Sequence, residues 1–205
     1  MKSLLCTLMI FGFVAGVCRA DMDQISPGYF VAGVRSVEFE FSAAPEMGGR
    51  QRQANWCWAA CVQMVLNYHG LRVRQEDVVQ RIFGGQVDAP GQPQQILAAL
   101  SGWAPDVRGR YSAIQASPYV LQGSDIVRDL AYKWPLIVGL RNADGGGHAL
   151  VLTAVYYHVA PNNQPIFEKV ILRDPWPSNP SRQELSWQEF VQRVGFMARV
   201  SVQRQ

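Results

Sequence analysis

The chain has 205 residues, 48% of them hydrophobic and 17% charged, with 19 Lys and Arg against 16 Asp and Glu. That length and composition suit one domain with a sizeable core. They exclude a nucleic-acid binder of the ordinary kind, because no Lys/Arg cluster or stripe accompanies the net charge of +3.

The first twenty residues, MKSLLCTLMIFGFVAGVCRA, combine an early Lys, an apolar run and a small residue before Asp21, the pattern of a secretory signal peptide. Residues 1–20 are therefore set apart as signal, and residues 21–205 are expected to form a single domain that is periplasmic or secreted. The apolar run is shorter than the roughly 20 residues a bilayer needs, so no stable membrane insertion is expected after signal removal. Removing Lys2 and Arg19 leaves 19 − 2 = 17 cations against 16 anions, a nearly neutral chain. Cys6 and Cys18 leave as well, so the exported chain keeps Cys57 and Cys61. An i, i+4 pair on one helix is a poor disulfide, because the two Cβ vectors run parallel. Two unbridged thiols in an oxidising compartment are open to oxidation, and at least one needs a chemical reason to be there.

Residues 21–36 read as an irregular lead-in, and VEFEF (37–41) alternates apolar and acidic as a half-buried strand does. After the loop SAAPEMGGR, the apolar spacing turns helical from Asn55, with Cys57, Cys61, Val65 and Tyr68 on one face, Asn55 as N-cap and Gly70 as terminator. RQEDVVQRIFGG and PGQPQQILAALSGW read as two more helices, the second with Pro93 in its first turn. GSDIVRDLAYKW reads as a helix capped by Ser124. The runs PLIVGL, HALVLTAVYYHV and PIFEKVILRD follow, separated by ADGGG and APNNQ, and read as antiparallel strands. SWQEFVQRVG predicts a short helix and FMARVSVQ a last strand. Helices first and antiparallel sheet second is an α+β order, with the helices expected at one side of the sheet.

Cys57 falls at the second position of its helix, where unpaired N–H groups and the dipole favour a thiolate. A catalytic thiolate needs a base, and the chain has three histidines. His69 lies twelve residues along the same helix, about 18 Å away at 1.5 Å per residue, out of reach. His158 lies ten residues from His148 on one predicted strand, roughly 33 Å apart, so the two cannot serve one site. His148 begins its strand directly after three glycines, where a helix N-terminus can approach. If the turn after that strand centres on residues 161–163, facing residues sum to 322–326, which puts Asp174 beside His148. A carboxylate there holds the imidazole in one tautomer and orientation. Acyl transfer also needs oxyanion donors: the Cys57 backbone N–H is one, and the spacing leaves Gln51 and Gln53 both open as the second. Trp56, Trp58 and Trp176 are candidates for walls of a substrate cleft, with core packing as the ordinary alternative.

QRQANWCWAACVQMVLNYHG resembles the nucleophile helix of papain-like cysteine peptidases, in particular the branch of double-glycine leader peptidases and secreted bacterial papain-like effectors. There a Gln stands six residues before the Cys, and an aromatic- and alanine-rich helix ends in Tyr-x-Gly. GGGHALVLTAV and ILRDPW are similar to that branch's His and Asp strands, with Asp where plant papains have Asn. The resemblance implies a papain-like α+β domain whose N-terminal helical part packs its nucleophile helix against a C-terminal antiparallel sheet. It implies Cys57 as nucleophile, His148 as general base then acid, Asp174 as orienter and Gln51, by family spacing alone, as oxyanion donor. The activity implied is hydrolysis of peptide bonds in a peptide or protein substrate through an acyl-enzyme, by a monomer, without metal or other cofactor. A murein peptide hydrolase or a transglutaminase-like acyltransferase would use the same triad. A zinc module built on Cys57, Cys61 and a His is disfavoured because the chain lacks a second ligand pair. The aromatic after Cys57, the absence of transporter segments and the Sec-type signal depart from the branch.

Overall fold

A computed structural model describes residues 22–43, 49–111, 113–121, 123–143 and 145–203; the expected signal segment lies outside them. In chain order the elements are β1 (Met22–Ser26), β2 (Tyr29–Gly33), α1 (Ser36–Ala43), α2 (Cys57–Tyr68), α3 (Gln75–Phe83), α4 (Pro93–Leu100), β3 (Ala113–Pro118), α5 (Gly123–Ala131), β4 (Leu136–Arg141), β5 (Gly147–Val159), β6 (Pro165–Arg173), β7 (Arg182–Ser186), α6 (Trp187–Arg193) and β8 (Val194–Gln203). Among the described residues no helix is long and apolar enough to cross a membrane.

One antiparallel sheet organises the chain, in the order β1-β2-β5-β4-β8-β3, with β6 pairing β5 and β7. The thirteen-residue β5 is its spine. Its first half pairs with β4, with Leu140 opposite His148, and its second half with β2, while β6 takes the other edge. The continuous apolar run of β5 follows from burial on both faces. Ala149 and Val151 point into a core shared with α1 to α4, whereas Leu150 and Leu152 point into a second core with Ile126 and Leu130 of α5 and Phe190 of α6. Helices therefore cover both faces of the sheet, rather than the one side expected from their order. The late amphipathic helices α5 and α6 take the face that α1 to α4 leave open.

Three local expectations change. Residues 37–41 are helical, within α1. Phe39 and Ala43, one turn apart, are buried while Val37 is exposed, and Phe39 meets Tyr68 of α2 at 5.4 Å between ring centroids. The i, i+4 pair decides the element, and the alternation was incidental. The lead-in contains the β1–β2 hairpin, which docks on the distal half of β5. Gly33 sits there at φ +147, where an added Cβ would run into the backbone of Thr153 and Ala154. Finally, α5 begins at Gly123, placing Ser124 inside its first turn rather than at the cap.

Candidate active site

Trp56, not Asn55, occupies the N-cap of α2, and Cys57 is its first residue. Asn55 is used elsewhere: its backbone N–H donates to Asp88 Oδ1 (2.8 Å) and its side chain to the Asp88 carbonyl (3.3 Å). The N-terminal turn of α2 still carries N–H groups without intrahelical acceptors, the environment that favours a thiolate. The tryptophans flanking Cys57 point away from it. Trp56 donates its indole N–H to the Val87 carbonyl (2.8 Å) and Trp58 to that of Ala89 (3.0 Å). They clamp the 84–92 loop, whose Pro90 lines a cleft of about 380 Å³ together with Cys57, His148 and Trp176.

The cleft brings together three of the four residues singled out in the sequence. His148, at the start of β5, has Nε2 2.6 Å from Asp174 Oδ1. The Cys57 thiol lines the same cleft, close enough for thiol and imidazole each to shift the other's titration. With Nε2 engaged by Asp174, Nδ1 is the nitrogen left for sulfur. The β5–β6 register explains the meeting: Val151 faces Arg173, a sum of 324, and bulges toward the turn leave the later pairs at 324 and 325. Asp174, one residue past β6, therefore lands diagonal to His148. Trp176 stands edge-on to the imidazole, 6.5 Å between centroids.

The electrostatics follow from these contacts. Burial alone would raise the Cys57 thiol, but the His148 hydrogen bond, the Ala149 N–H, the imidazole charge and the Trp58 N–H bring it below its ordinary value. Burial pushes the His148 imidazole down, and the hydrogen bonds to Asp174 and Cys57, with their charges, overcome it and carry it up to about 9. Asp174 is 3% exposed, and burial would raise it too. His148, Asn179 and the Trp176 N–H hold it below the usual carboxylate range. Both shifts run toward a thiolate beside an imidazolium, a pairing that nucleophilic catalysis can use. Cys61, one turn on and fully buried, is pushed well above the ordinary thiol value by burial and by the negative charges of Cys57 and Asp174.

Gln51 lies apart from the cleft. Its side chain is buried and lines an adjoining hollow with Gln53, Ala54 and Trp176. Its Nε2 donates to the Gln53 (2.8 Å) and Ala54 (2.9 Å) carbonyls, and its Oε1 is buried without a hydrogen-bond partner. Gln53 is exposed. His69 directly follows α2, and His158 sits at the far end of β5, stacked on Tyr29 and 3.3 Å from Glu168.

Several residues that fix the site carry no sequence signal. Arg50 Nη1 donates to the carbonyls of Asp174 (3.1 Å) and Trp176 (2.7 Å), and the Gln51 N–H to that of Pro175 (2.8 Å). The fully buried Gln75 bridges the Arg50 carbonyl, the Arg52 N–H and Gln63. Asn179 and Gln183 hold the Asp174 carboxylate. A polar run just after a candidate acid, DPWPSNPSRQE, was the one available hint for the last two, and it reads as plain loop unless β7 is recognised.

A thiol opening a helix, docked against an imidazole on the first residues of a sheet strand, with helices on one wall and sheet on the other, is the arrangement of a papain-like cysteine peptidase. A family model described as papain-like cysteine protease AvrRpt2 matches residues 44–194, and the chain belongs to that family. It is a cysteine peptidase. The solved peptidase domain of Streptococcus ComA, a bi-functional ABC transporter involved in a quorum sensing pathway, is 16% identical. The match covers 76% of this chain and 96% of that one, with a TM-score of 0.50, a likeness of fold. A double glycine motif protease from an AMS/PCAT transporter, solved in complex with the leader peptide, is 17% identical over 91% of this chain and 94% of its own, with a TM-score of 0.47. No curated protein matches in sequence.

Proposed function

We propose that this peptidase hydrolyses peptide bonds outside the cytoplasm, with Cys57 as nucleophile, His148 as general base and acid and Asp174 as orienter. The observation that carries the reading is the unbroken chain of contacts Cys57–His148–Asp174 at the wall of the cleft. The thiolate attacks the scissile carbonyl carbon and its electron pair moves onto oxygen. The tetrahedral oxyanion collapses to a thioester as His148 gives its proton to the leaving amine. His148 then takes a proton from water, hydroxide adds to the thioester, and the acid departs with the thiolate restored. Asp174 keeps the imidazole in the tautomer and orientation that both transfers need.

The oxyanion forms beside the N-terminus of α2, within the reach of the Cys57 N–H. Gln51 is the second donor in this reading. Its amide now serves two carbonyls, so donation requires exchange of one of them for the oxyanion, and its unpartnered Oε1 makes the present arrangement a poorly satisfied one. Export rests on the signal-like residues 1–20.

Intact-mass labelling with a thiol-directed, peptide-based probe tests nucleophile and cleft together. One adduct is expected on the wild type, because Cys61 is fully buried, and none on Cys57→Ser. An adduct that persists in Cys57→Ser would overturn the assignment.

A further inference from the structure

An ionised carboxylate offers about four lone-pair sites, and Asp174 fills four. Oδ1 faces His148 Nε2 (2.6 Å) and accepts from the Trp176 N–H (2.8 Å), while Oδ2 accepts from Asn179 Nδ2 (2.8 Å) and Gln183 Nε2 (2.5 Å). The residue after Asp174 is Pro175, which has no N–H. Main chain thus supplies Oδ1 from Trp176, and Oδ2 depends on side chains.

We propose that Asn179 and Gln183 are positioning residues that keep Asp174 ionised and turned toward His148, so that the third member of the triad is a carboxylate together with two amides. The inference rests on the triad reading above. Neither oxygen of a carboxylate 3% exposed can be left unpaired without driving it to protonate or to rotate. Two neutral donors satisfy Oδ2 without cancelling its charge, so the negative charge remains for the imidazolium. The cations nearby are tied elsewhere: Arg50 to the carbonyls of Asp174 and Trp176, and Arg173 to Glu40 at 2.8 Å. A cation on Oδ2 would compete with His148 for Asp174. The titratable or charged groups facing Asp174 are His148 from β5, Cys61 from α2, Arg50 on its main-chain carbonyl, the Arg173–Glu40 pair beside the small cavity it lines, and, in the shared cleft, Cys57 from α2 and Arg193 from α6.

The test is the pH dependence of Cys57 alkylation by iodoacetamide in the full chain, followed by intact mass, which needs no substrate. Losing a donor to Oδ2 raises the pH at which Asp174 takes up a proton. The imidazolium then loses its partner sooner as pH falls, and the thiolate with it. Asn179→Ala and Gln183→Leu should each move the acid limb up by about one pH unit, the equivalent of about one charge-assisted hydrogen bond. Gln183→Glu should keep the wild-type acid limb, because two carboxylates this close share a proton and the protonated Glu donates as Gln did. Asn179 and Gln183 are not core residues, so melting temperatures should stay within a few degrees. Unmoved acid limbs in both Asn179→Ala and Gln183→Leu would overturn the proposal, as would a Gln183→Glu limb displaced as far as that of Gln183→Leu, which would show that a restored donor to Oδ2 does not set the limb. An unmoved limb in Asp174→Ala would instead defeat the triad reading itself.

Discussion

Gly91 decides whether the loop walling the cleft can close on α2, the helix that carries Cys57. A Cβ built there would lie 2.6 Å from Trp58 Cγ and 2.9 Å from Cε2, with Cδ2 closer still. The indole cannot swing aside, since Trp58 is 1% exposed, packs edge-on against Phe83 and donates to the Ala89 carbonyl. Gly91→Ala ordinarily gains about 0.4–1 kcal/mol by restricting the unfolded chain. Here an overpacking penalty of about 1–3 kcal/mol opposes it. Lifting the loop also strands the indole donors of Trp58 and Trp56, at about 1–3 kcal/mol for a buried donor left unsatisfied. The net is a loss of about 2–4 kcal/mol, which for a domain of this size lowers Tm by roughly 5–15 °C. Differential scanning fluorimetry and indole emission read the stability and the clamp. Because Pro90 forms one wall of the cleft while His148 and Asp174 stand on the other, kcat/KM on a peptide substrate should fall at least tenfold while iodoacetamide alkylation of Cys57 stays near the wild-type rate. A Tm within 1 °C of wild type, or a loss of alkylation equal to the loss of kcat/KM, would refute the clamp.

Four further outcomes are expected. Cys57→Ala and His148→Ala abolish turnover, whereas Asp174→Ala leaves measurable kcat, because an orienter is less essential than nucleophile or base; equal and complete loss in a folded Asp174→Ala would count against its role. Gln51→Ala lowers kcat by about 10² to 10³ and, having lost two part-buried hydrogen bonds, also lowers Tm slightly, while Gln53→Ala is nearly silent; the reverse order in kcat and circular dichroism would show that the register of the glutamines is misread. The rate profile loses activity as pH rises through about 9, where His148 gives up its proton, and the stability this ion pair contributes, full below the ordinary imidazole value of 6.5, is lost over the same rise; a pH titration of kcat/KM and of Tm checks both. Cys61→Ala keeps activity, as expected of a buried thiol that the chemistry does not use.

The parts of the fold that the sequence exposes are those whose signal is local or periodic. The β5–β6 pairing is legible because a short polar turn fixes register, and that register puts Asp174 at His148. The end of α2 and the start of α4 were legible through Gly70 and Pro93. What stayed hidden is what depends on distant partners. In the β1–β2 hairpin, β1 is exposed along its length and β2 is half-buried on both faces, so neither shows an alternating pattern, and β7 alternates only between exposed and half-buried beside β6. Asn55 looks like a cap because caps are local, yet Asp88, thirty-three residues on, takes its N–H. Trp176 does line the cleft, whereas Trp56 and Trp58 look like cleft walls only because aromatic rings are usually read by their faces. Here the indole N–H groups set their role.

The two walls of the site meet without covalent linkage, and the core alone does not set their register. The cysteine comes from a helix whose buried face rests on apolar neighbours, and the histidine and aspartate from strand ends more than ninety residues later. Apolar contacts are tolerant of small displacements, while a hydrogen-bonded thiol and imidazole are not. The directional ties are polar: Arg50 and the Gln51 N–H grip the 174–176 backbone from the segment leading into α2, and Gln75 grips Arg50 and Arg52 from behind. Each of these bonds joins the cysteine wall to the aspartate wall or braces one that does. The site geometry should therefore be more sensitive to Gln75 than its distance from the chemistry suggests. Replacing it by Leu, of similar size, would take away the Gln75 partner of the half-buried Arg50 carbonyl and of the Arg52 N–H, at the root of the loop that carries Gln51.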